Sequence, residues 1–343
     1  MKIKNIDLQL FATQTTNLKT SGNDLSAEMK TFYDKNLIRT AEASLVHEQF
    51  AQKRPIPKNG GKKIEFRQFA SLPKATKPLT EGVTPAGNKL NVSTIEATVS
   101  QYGDYIEQSD VLELTSIDNT IVEATRLLGN QAGLTLDTIV RDIINSGTNV
   151  SYAPKVASDG TKTEITSRAT LTKDCLVTAE VVKRAATKLK SVNAPKIDGY
   201  YVAIIHPYVA FDLMSDKEWI DVQKYATPEN MLKGELGKLA GVRFVESTEA
   251  KIFTTAGGAS DCPSGLAVFS TLFLGSDAYG VTEVTGGGLE TIIKQKGSAG
   301  TSDPLNQRST VGWKGMRTAE ILVQPYLVRC ESCSTYSATA KAN

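Results

Sequence analysis

Histidine is almost missing from this chain of 343 residues. There are two, His47 and His206. They lie far apart, and neither belongs to an H-E-x-x-H or H-x-x-x-H pair, so a histidine-ligated metal centre has no basis in the sequence. Cysteine is scarce too, with four residues. That is too few for a disulfide scaffold in a chain this long. Cys330 and Cys333 form one C-x-x-C with no second pair and no nearby histidine, and a zinc site needs about four ligands. They read as reduced thiols. Aromatic residues make up 7% of the chain.

Long apolar runs are missing as well. The most apolar stretch, "YYVAIIHPYVAFDLM", is interrupted by His206 and Pro207 and falls short of the roughly 20 residues that span a bilayer. The N-terminus, "MKIKNIDLQLFATQ", lacks the continuous apolar centre of a signal peptide. The expectation is a soluble protein, made inside a cell, with no membrane partner. Charge of one sign is not in excess either: the formal net charge is +2. A dedicated nucleic-acid binder carries a clearly basic face or domain. If this chain meets DNA, it meets it loosely and without reading it.

Catalytic signatures are absent. There is no G-x-S-x-G elbow. "GELGKLAG" resembles a phosphate loop only superficially, because no Ser or Thr follows Lys238. "GGGLE" precedes a strand and offers no helix N-terminus to a phosphate. The carboxylates are scattered; Asp104 and Glu107 read as solvated or as salt-bridged to a neighbour. No enzyme and no cofactor are expected.

What is present is a set of extended parts. Residues 1–25 read as an arm with one apolar patch, Leu8, Leu10 and Phe11, which needs a partner to order it. Residues 26–53 read as a helix capped by Ser26, with Met29, Tyr33, Leu37, Ala41 and Leu45 on one stripe and His47 on its surface. Pro55 and Pro57 end it. "KKIEFRQFA" (62–70) and "NVSTIEATVSQYGDYIEQ" (91–108) alternate as antiparallel strands, with Ile64 and Phe66 facing inward on one and Ile95, Ala97 and Val99 on the other. Between them "LPKATKPLTEGVTPAGNKLN" is polar and stiffened by Pro73, Pro78 and Pro85. An isolated two-stranded hairpin is marginal in water, so this one must lie on something, and a neighbouring subunit is the economical choice.

The clearest helix is "SIDNTIVEATRLLGNQAGLTLDTIVRDIINSG". Ile121, Ala124, Leu128, Ala132, Leu136, Ile139 and Ile143 step by three or four, and Gly129 with Gly133 either admits another backbone or marks a local defect. Residues 148–175 read as a loop with a hairpin. A second amphipathic helix, 178–191, turns Val181, Val182, Ala185 and Leu189 inward. Its Lys183, Arg184, Lys188 and Lys190 read as a solvated side rather than a nucleic-acid face. Residues 195–285 read as a mixed α/β module with a buried strand at "GYYVAIIHP". "LETIIKQKG" pairs with the long run after Ser309, which must turn at Pro325.

This order resembles the tailed-bacteriophage major capsid (coat) protein family with the Hong Kong 97-type fold. The resemblance is carried by "FYDKNLIRTAEASLVHEQFAQKRPIPKNGGKKIEFRQFASLPKATKPLTEGVTP", "GELGKLAGVRFVES" and "STVGWKGMRTAEILVQPYLVR", and it covers nearly the whole chain. It implies an α+β fold with an N-terminal arm (1–55) and an extended β-hairpin loop (56–110). A peripheral domain (111–175, with a spine helix at 117–146) and an axial domain (176–285) would follow. Peripheral-domain strands (286–324) and a return to the axial domain with a C-terminal tail (325–343) would complete it. It implies a virion protein, made in the host bacterial cytoplasm, that forms the hexamers and pentamers of an icosahedral head around double-stranded DNA. Its partners would be itself, a portal protein, a scaffolding protein and, for some heads, a decoration protein. About 55 residues precede the loop, which points to scaffolding by a separate protein. The inter-subunit interface residues implied are Lys74, Lys77, Pro78, Glu81, Pro85, Asn88 and Lys89 at the loop tip, and Leu8, Leu10 and Phe11 in the arm. No motif marks a covalent cross-link, for which Lys74, Lys77 or Lys89 with Asn306 would be the candidates. Two other readings compete: an encapsulin-type shell that packages a cargo enzyme, and a soluble α/β enzyme built on 195–285.

Overall fold

The computed structural model describes residues 45–343 apart from 58, 60, 70–71, 80, 83, 85–86, 116–119, 158–159, 226–235, 283–287 and 299–302; before residue 45 it describes only residues 37, 40 and 41. The chain divides into two units. One comprises Met1–Ser44, Gln101–Gly133 and Gly287–Gly315; the other comprises Leu45–Ser100, Leu134–Gly286 and Met316–Asn343.

The first unit is built on the first half of the long helix, which runs Thr120–Asn145. Leu128 and Ala132 on its buried stripe pack with Leu37, Ala41, Val311 and Trp313. Three strands supply the facing layer. Glu290–Lys294 pairs antiparallel with the start of Arg308–Ile321, setting Ile293 opposite Val311 and Thr291 opposite Trp313. Ser100–Ser109 pairs with the same long strand. The predicted pairing of "LETIIKQKG" with the run after Ser309 is therefore present. Gly129 does admit another backbone: a Cβ there would meet the Leu37 carbonyl oxygen at 3.0 Å.

Gly103 is tighter still. A Cβ there would lie 2.5 Å from the Trp313 carbonyl oxygen, a backbone atom that cannot swing away. Gly103→Ala is expected to force the two strands apart and cost about 1–3 kcal/mol, as overpacking does. A urea-unfolding midpoint unchanged from wild type would contradict this.

The second unit has a seven-stranded sheet. Its main path runs Val150–Tyr152, Leu327–Ser332, Val268–Leu274, Tyr201–Ile205, Val242–Glu246 and Lys238–Leu239, and Ile252–Phe253 pairs with Val268–Leu274 off this path. Val268–Leu274 is antiparallel to both of its long neighbours, whereas Tyr201–Ile205 and Val242–Glu246 are parallel. Successive side chains alternate between two cores. Tyr201, Ala203, Ile205, Phe269 and Phe273 join one, which includes the helix Ala179–Ser191. Ile204, Leu272, Leu274 and Leu327 join the other, together with Val140 and Ile144 from the end of the long helix.

The inward set predicted for the 178–191 helix, Val181, Val182, Ala185 and Leu189, is buried. Its first amide, Ala179 N, donates to Asp216 Oδ2 at 2.7 Å, so a neighbouring side chain replaces the cap that Thr178 does not make. Lys183 pairs with Glu218, and Arg184 pairs with Glu164 and Glu180. The short strands Lys155–Val156 and Lys162–Thr163 form the hairpin expected in 148–175.

Three expectations need correction. The helix expected over 26–53 does not reach 53. Residues 47–50 form turns, and Gln52–Lys53 is a strand parallel to Gly280–Val281. The reason is a contact distant in sequence: His47 N donates to Asp137 Oδ1 at 2.7 Å instead of to a helical carbonyl, and His47 Nδ1 lies 2.7 Å from Asp137 Oδ2. His47 is thus fully buried, not on a helix surface. Second, the strand expected over 91–108 is two, Val92–Thr98 and Ser100–Ser109. Between them Val99 is buried and its N–H donates to the Lys62 carbonyl at 2.9 Å. Third, Ile139 and Ile143 are only partly covered near the end of the long helix; Val140 and Ile144 are the buried pair. An ideal helix drifts relative to a fixed repeat, so a stripe read over seven turns migrates.

Candidate assembly surfaces

The hairpin is anchored at its base and bare beyond it. Lys63–Phe69 and Val92–Thr98 pair antiparallel, with Ile64 opposite Ala97 and Phe66 opposite Ile95, the faces expected from the alternation. Phe66 is 3% exposed. Its ring lies against Gly280, where a Cβ would come within 2.7 Å of it. The glycine is therefore the seat that fixes the hairpin to its own unit. Past Phe69, every described residue up to Thr94 is exposed.

Lys74, Lys77, Pro78, Glu81, Asn88 and Lys89 all fall on this stretch and all face solvent. Pro85 and the arm residues Leu8, Leu10 and Phe11 lie outside the described residues. Leucines are exposed among them: Leu79 is 79% accessible and Leu90 65%. Burying a leucine is worth about 1.5–3 kcal/mol, so leaving several bare on one loop is a cost that a partner surface would remove.

A second set of exposed apolar side chains escaped the sequence reading. Tyr105 (65%), Val111 (62%), Leu112 and Leu127 are open in the other unit. Leu127 and Leu128 show why: on a helix only one of two adjacent leucines can face the core, and the periodicity that assigns Leu128 inward leaves Leu127 out. That signal was legible. Phe211, Met214 and Tyr336 form a smaller exposed group, with the Phe211 and Tyr336 rings 5.6 Å apart.

The groups with chemical potential are closed in. His47, Asp137 and Tyr279 form one network, in which Tyr279 OH donates to the His47 carbonyl and all three side chains are buried. Burial pushes the Tyr279 phenol well above its ordinary value. The arrangement resembles two members of a catalytic triad, but no substrate reaches it. The four cysteines are free and buried, and burial raises the Cys330 and Cys333 thiols to about 12, which keeps them protonated and poor nucleophiles. A cavity of about 550 Å³ is lined by residues 254–257, 265–267 and 339–342, with no carboxylate, histidine or cysteine among them. Among the described residues no cluster of three His, Cys, Asp or Glu could hold a metal ion, and no helix is long and apolar enough to cross a membrane.

His206 plays a structural part that depends on pH. It caps the helix Pro207–Ser215, its Nδ1 accepting from Tyr208 N at 3.1 Å. Burial lowers its pKa to about 4, against an unperturbed value of about 6.5. Between those values the unfolded chain binds more protons than the folded one. Stability from this group is therefore fully present above about pH 6.5 and is lost as pH falls toward 4, on the order of 2 kcal/mol between pH 7 and 5. His206→Asn keeps a capping acceptor without the titration. Urea unfolding of the dissociated subunit at pH 7 and 5 should show a smaller pH effect in this variant. Equal pH effects in the two proteins would refute the assignment.

Comparison of folds defines the class. The chain is similar to the capsid of Ralstonia phage GP4, with a TM-score of 0.63 at 15% identity over 92% of this chain and 95% of that one. It is similar to the capsid of the cyanophage P-SCSP1u, with a TM-score of 0.61 at 16% identity over 85% and 89%. For the cyanophage Pam1 capsid the values are 0.58 and 13% over 98% and 100%. No curated protein matches at the level of sequence. The family model described as phage capsid protein matches residues 92–326, and the chain belongs to that family. The Hong Kong 97-type fold and the role of major capsid protein, both expected from the sequence, stand.

Proposed function

We propose that this capsid subunit closes its shell through hexamers and pentamers, by repeating one head-to-tail contact in which the hairpin loop of each copy lies on the next. The observation that carries this reading is the loop itself: an extended hairpin, seated at its base by Phe66 on Gly280, whose described residues beyond Phe69 are bare. A heterologous contact repeated around a rotation axis closes a ring, and prolines at 73, 78 and 85 lower the entropy lost when the loop docks.

In this reading residues 1–55 act as the arm, 56–110 as the extended loop, 111–175 with 286–324 as the peripheral domain, and 176–285 with 325–343 as the axial domain. The subunit performs no catalysis. It encloses double-stranded DNA without sequence-specific binding, and two of the cations on the 179–191 helix, Lys183 and Arg184, are already engaged by its own acids. Portal and scaffolding proteins complete the head, and the subunit is made in the host bacterial cytoplasm. Negative-stain microscopy of the purified protein, expressed with and without a candidate scaffolding protein, tests the reading. Closed shells, six-membered rings or tubes are expected; a monomer under every condition would overturn it.

A further inference from the structure

A cavity of about 310 Å³ lies at the root of the hairpin, and all of its lining belongs to the second unit. Four side chains with hydrogen-bond donors line it. Arg67 and Gln68 come from the hairpin strand Lys63–Phe69. Gln52 and Arg54 come from the segment that pairs with Gly280–Val281. The rest of the lining is apolar, with one exception, Asp277.

The four donors are not spent within the chain. Among the described residues Arg54 and Arg67 make no ion pair, and neither guanidinium nor either glutamine side-chain amide makes a hydrogen bond. Other arginines behave differently: Arg126, Arg141, Arg168, Arg184, Arg308 and Arg317 each meet a carboxylate. Two unpaired guanidiniums along one cavity repel each other. Arg54 gains some relief by lying over the Phe66 ring, 5.7 Å from its centroid. What the pair lacks is an anion with several acceptor oxygens, which the planar guanidinium fork matches.

Asp277 narrows the choice of anion. An ionised carboxylate only accepts hydrogen bonds. One of its oxygens, Oδ2, accepts from Ser276 Oγ at 3.3 Å, which leaves Oδ1 for another donor. Sulfate and carboxylates carry no hydrogen at neutral pH, so Asp277 repels them. Hydrogen phosphate keeps one. Its P–O–H can donate to Asp277 while its other oxygens accept from the arginines and glutamines.

We propose that this cavity is a binding site for hydrogen phosphate, held by Arg54 and Arg67 and selected by Asp277. The bound anion joins Arg67 on the hairpin to Arg54 on the body of the same unit, and so braces the hairpin at its root. The site is made by one copy alone. Binding therefore needs no assembly, and the proposal stands or falls separately from the shell reading.

Isothermal titration of the full-length subunit with inorganic phosphate, at pH 7 and constant ionic strength, tests the site. Wild type is expected to take up one phosphate per chain. The variant carrying Arg54→Gln and Arg67→Gln should bind it about tenfold more weakly or worse, as loss of hydrogen bonds between charged groups implies. Both positions are exposed, and circular dichroism verifies that the variant is folded. Sulfate should bind wild type about tenfold more weakly than phosphate, for want of the donated hydrogen bond. Asp277→Asn should remove that preference; asparagine tolerates the left-handed backbone at this position, φ 57°. Absence of saturable phosphate binding by wild type would overturn the proposal. So would unchanged affinity in the arginine variant, or sulfate bound by wild type as tightly as phosphate.

Discussion

Deleting residues 74–88 is expected to yield a folded subunit that forms no shells. The described part of this segment contributes no buried side chain. What remains still closes the hairpin. Seven residues, 70–73 and 89–91, would join Phe69 to Val92, which face each other in the present register. Hairpin connections of two to five residues are common, so seven impose no strain. Phe66 keeps its seat on Gly280, and shortening the loop changes its closure entropy by only about 1 kcal/mol, in the stabilising direction. Thermal or urea unfolding should therefore match wild type. Assembly should not: each subunit loses the segment by which it would reach its neighbour, and a standard interface buries on the order of 1,600 Å². Sedimentation velocity should show only slow species where wild type gives shells. Shells of normal size from the deleted protein would remove the loop from the assembly mechanism altogether.

How much of this was legible beforehand depended on the range of the interactions. Period-two alternation gave the hairpin faces correctly, because Ile64, Phe66, Ile95 and Ala97 answer to a rule that acts within one strand pair. The 179–191 helix and the buried strand at Tyr201–Ile205 followed from equally local signals. The loop-tip lysines, expected at an inter-subunit interface, face solvent in the single chain. The misreading of 45–53 has the opposite origin. Nothing within that segment breaks a helix before Pro55; the break is made by Asp137, 90 residues away, which engages the backbone N–H and the Nδ1 of His47. The histidine seemed a surface residue for the same reason. Exposure at Tyr105 and Val111 was likewise hidden, since alternation says which residues share a face and not whether that face is covered.

The polar centre of the sheet shows the limit of sequence reading most sharply and carries the largest expected loss of stability. In "LVRCES" alternation places Glu331 on a strand without saying that it is fully buried, one strand in from the sheet edge. Arg168 Nε and Nη2 donate to its two carboxylate oxygens at 2.7 and 2.6 Å, a bidentate pairing. Arg329 approaches the same carboxylate at 2.9 Å, and its guanidinium also donates to the Asn145 carbonyl. Burial lowers the pKa of Arg329, with the Glu331 charge opposing that shift. Arg168 reaches outward to Asp261 at 2.8 Å and stacks over Phe253. One carboxylate thus holds two guanidiniums in the interior. Glu331→Ala would leave Arg329 without a counter-ion and Arg168 with only the exposed Asp261. Breaking a buried pair on one side typically costs about 3–5 kcal/mol, and that loss is expected here. Urea unfolding followed by Trp219 fluorescence reports on this unit, since Trp219 packs in its core and the other tryptophan, Trp313, packs in the first unit. A double-mutant cycle with Arg168→Ala separates the pair from its surroundings: the double variant should be less damaged than the sum of the two single variants. A loss below about 1 kcal/mol for Glu331→Ala would mean that the two arginines find water or other acceptors. The strand Leu327–Ser332 would then be held in the sheet by its apolar neighbours alone.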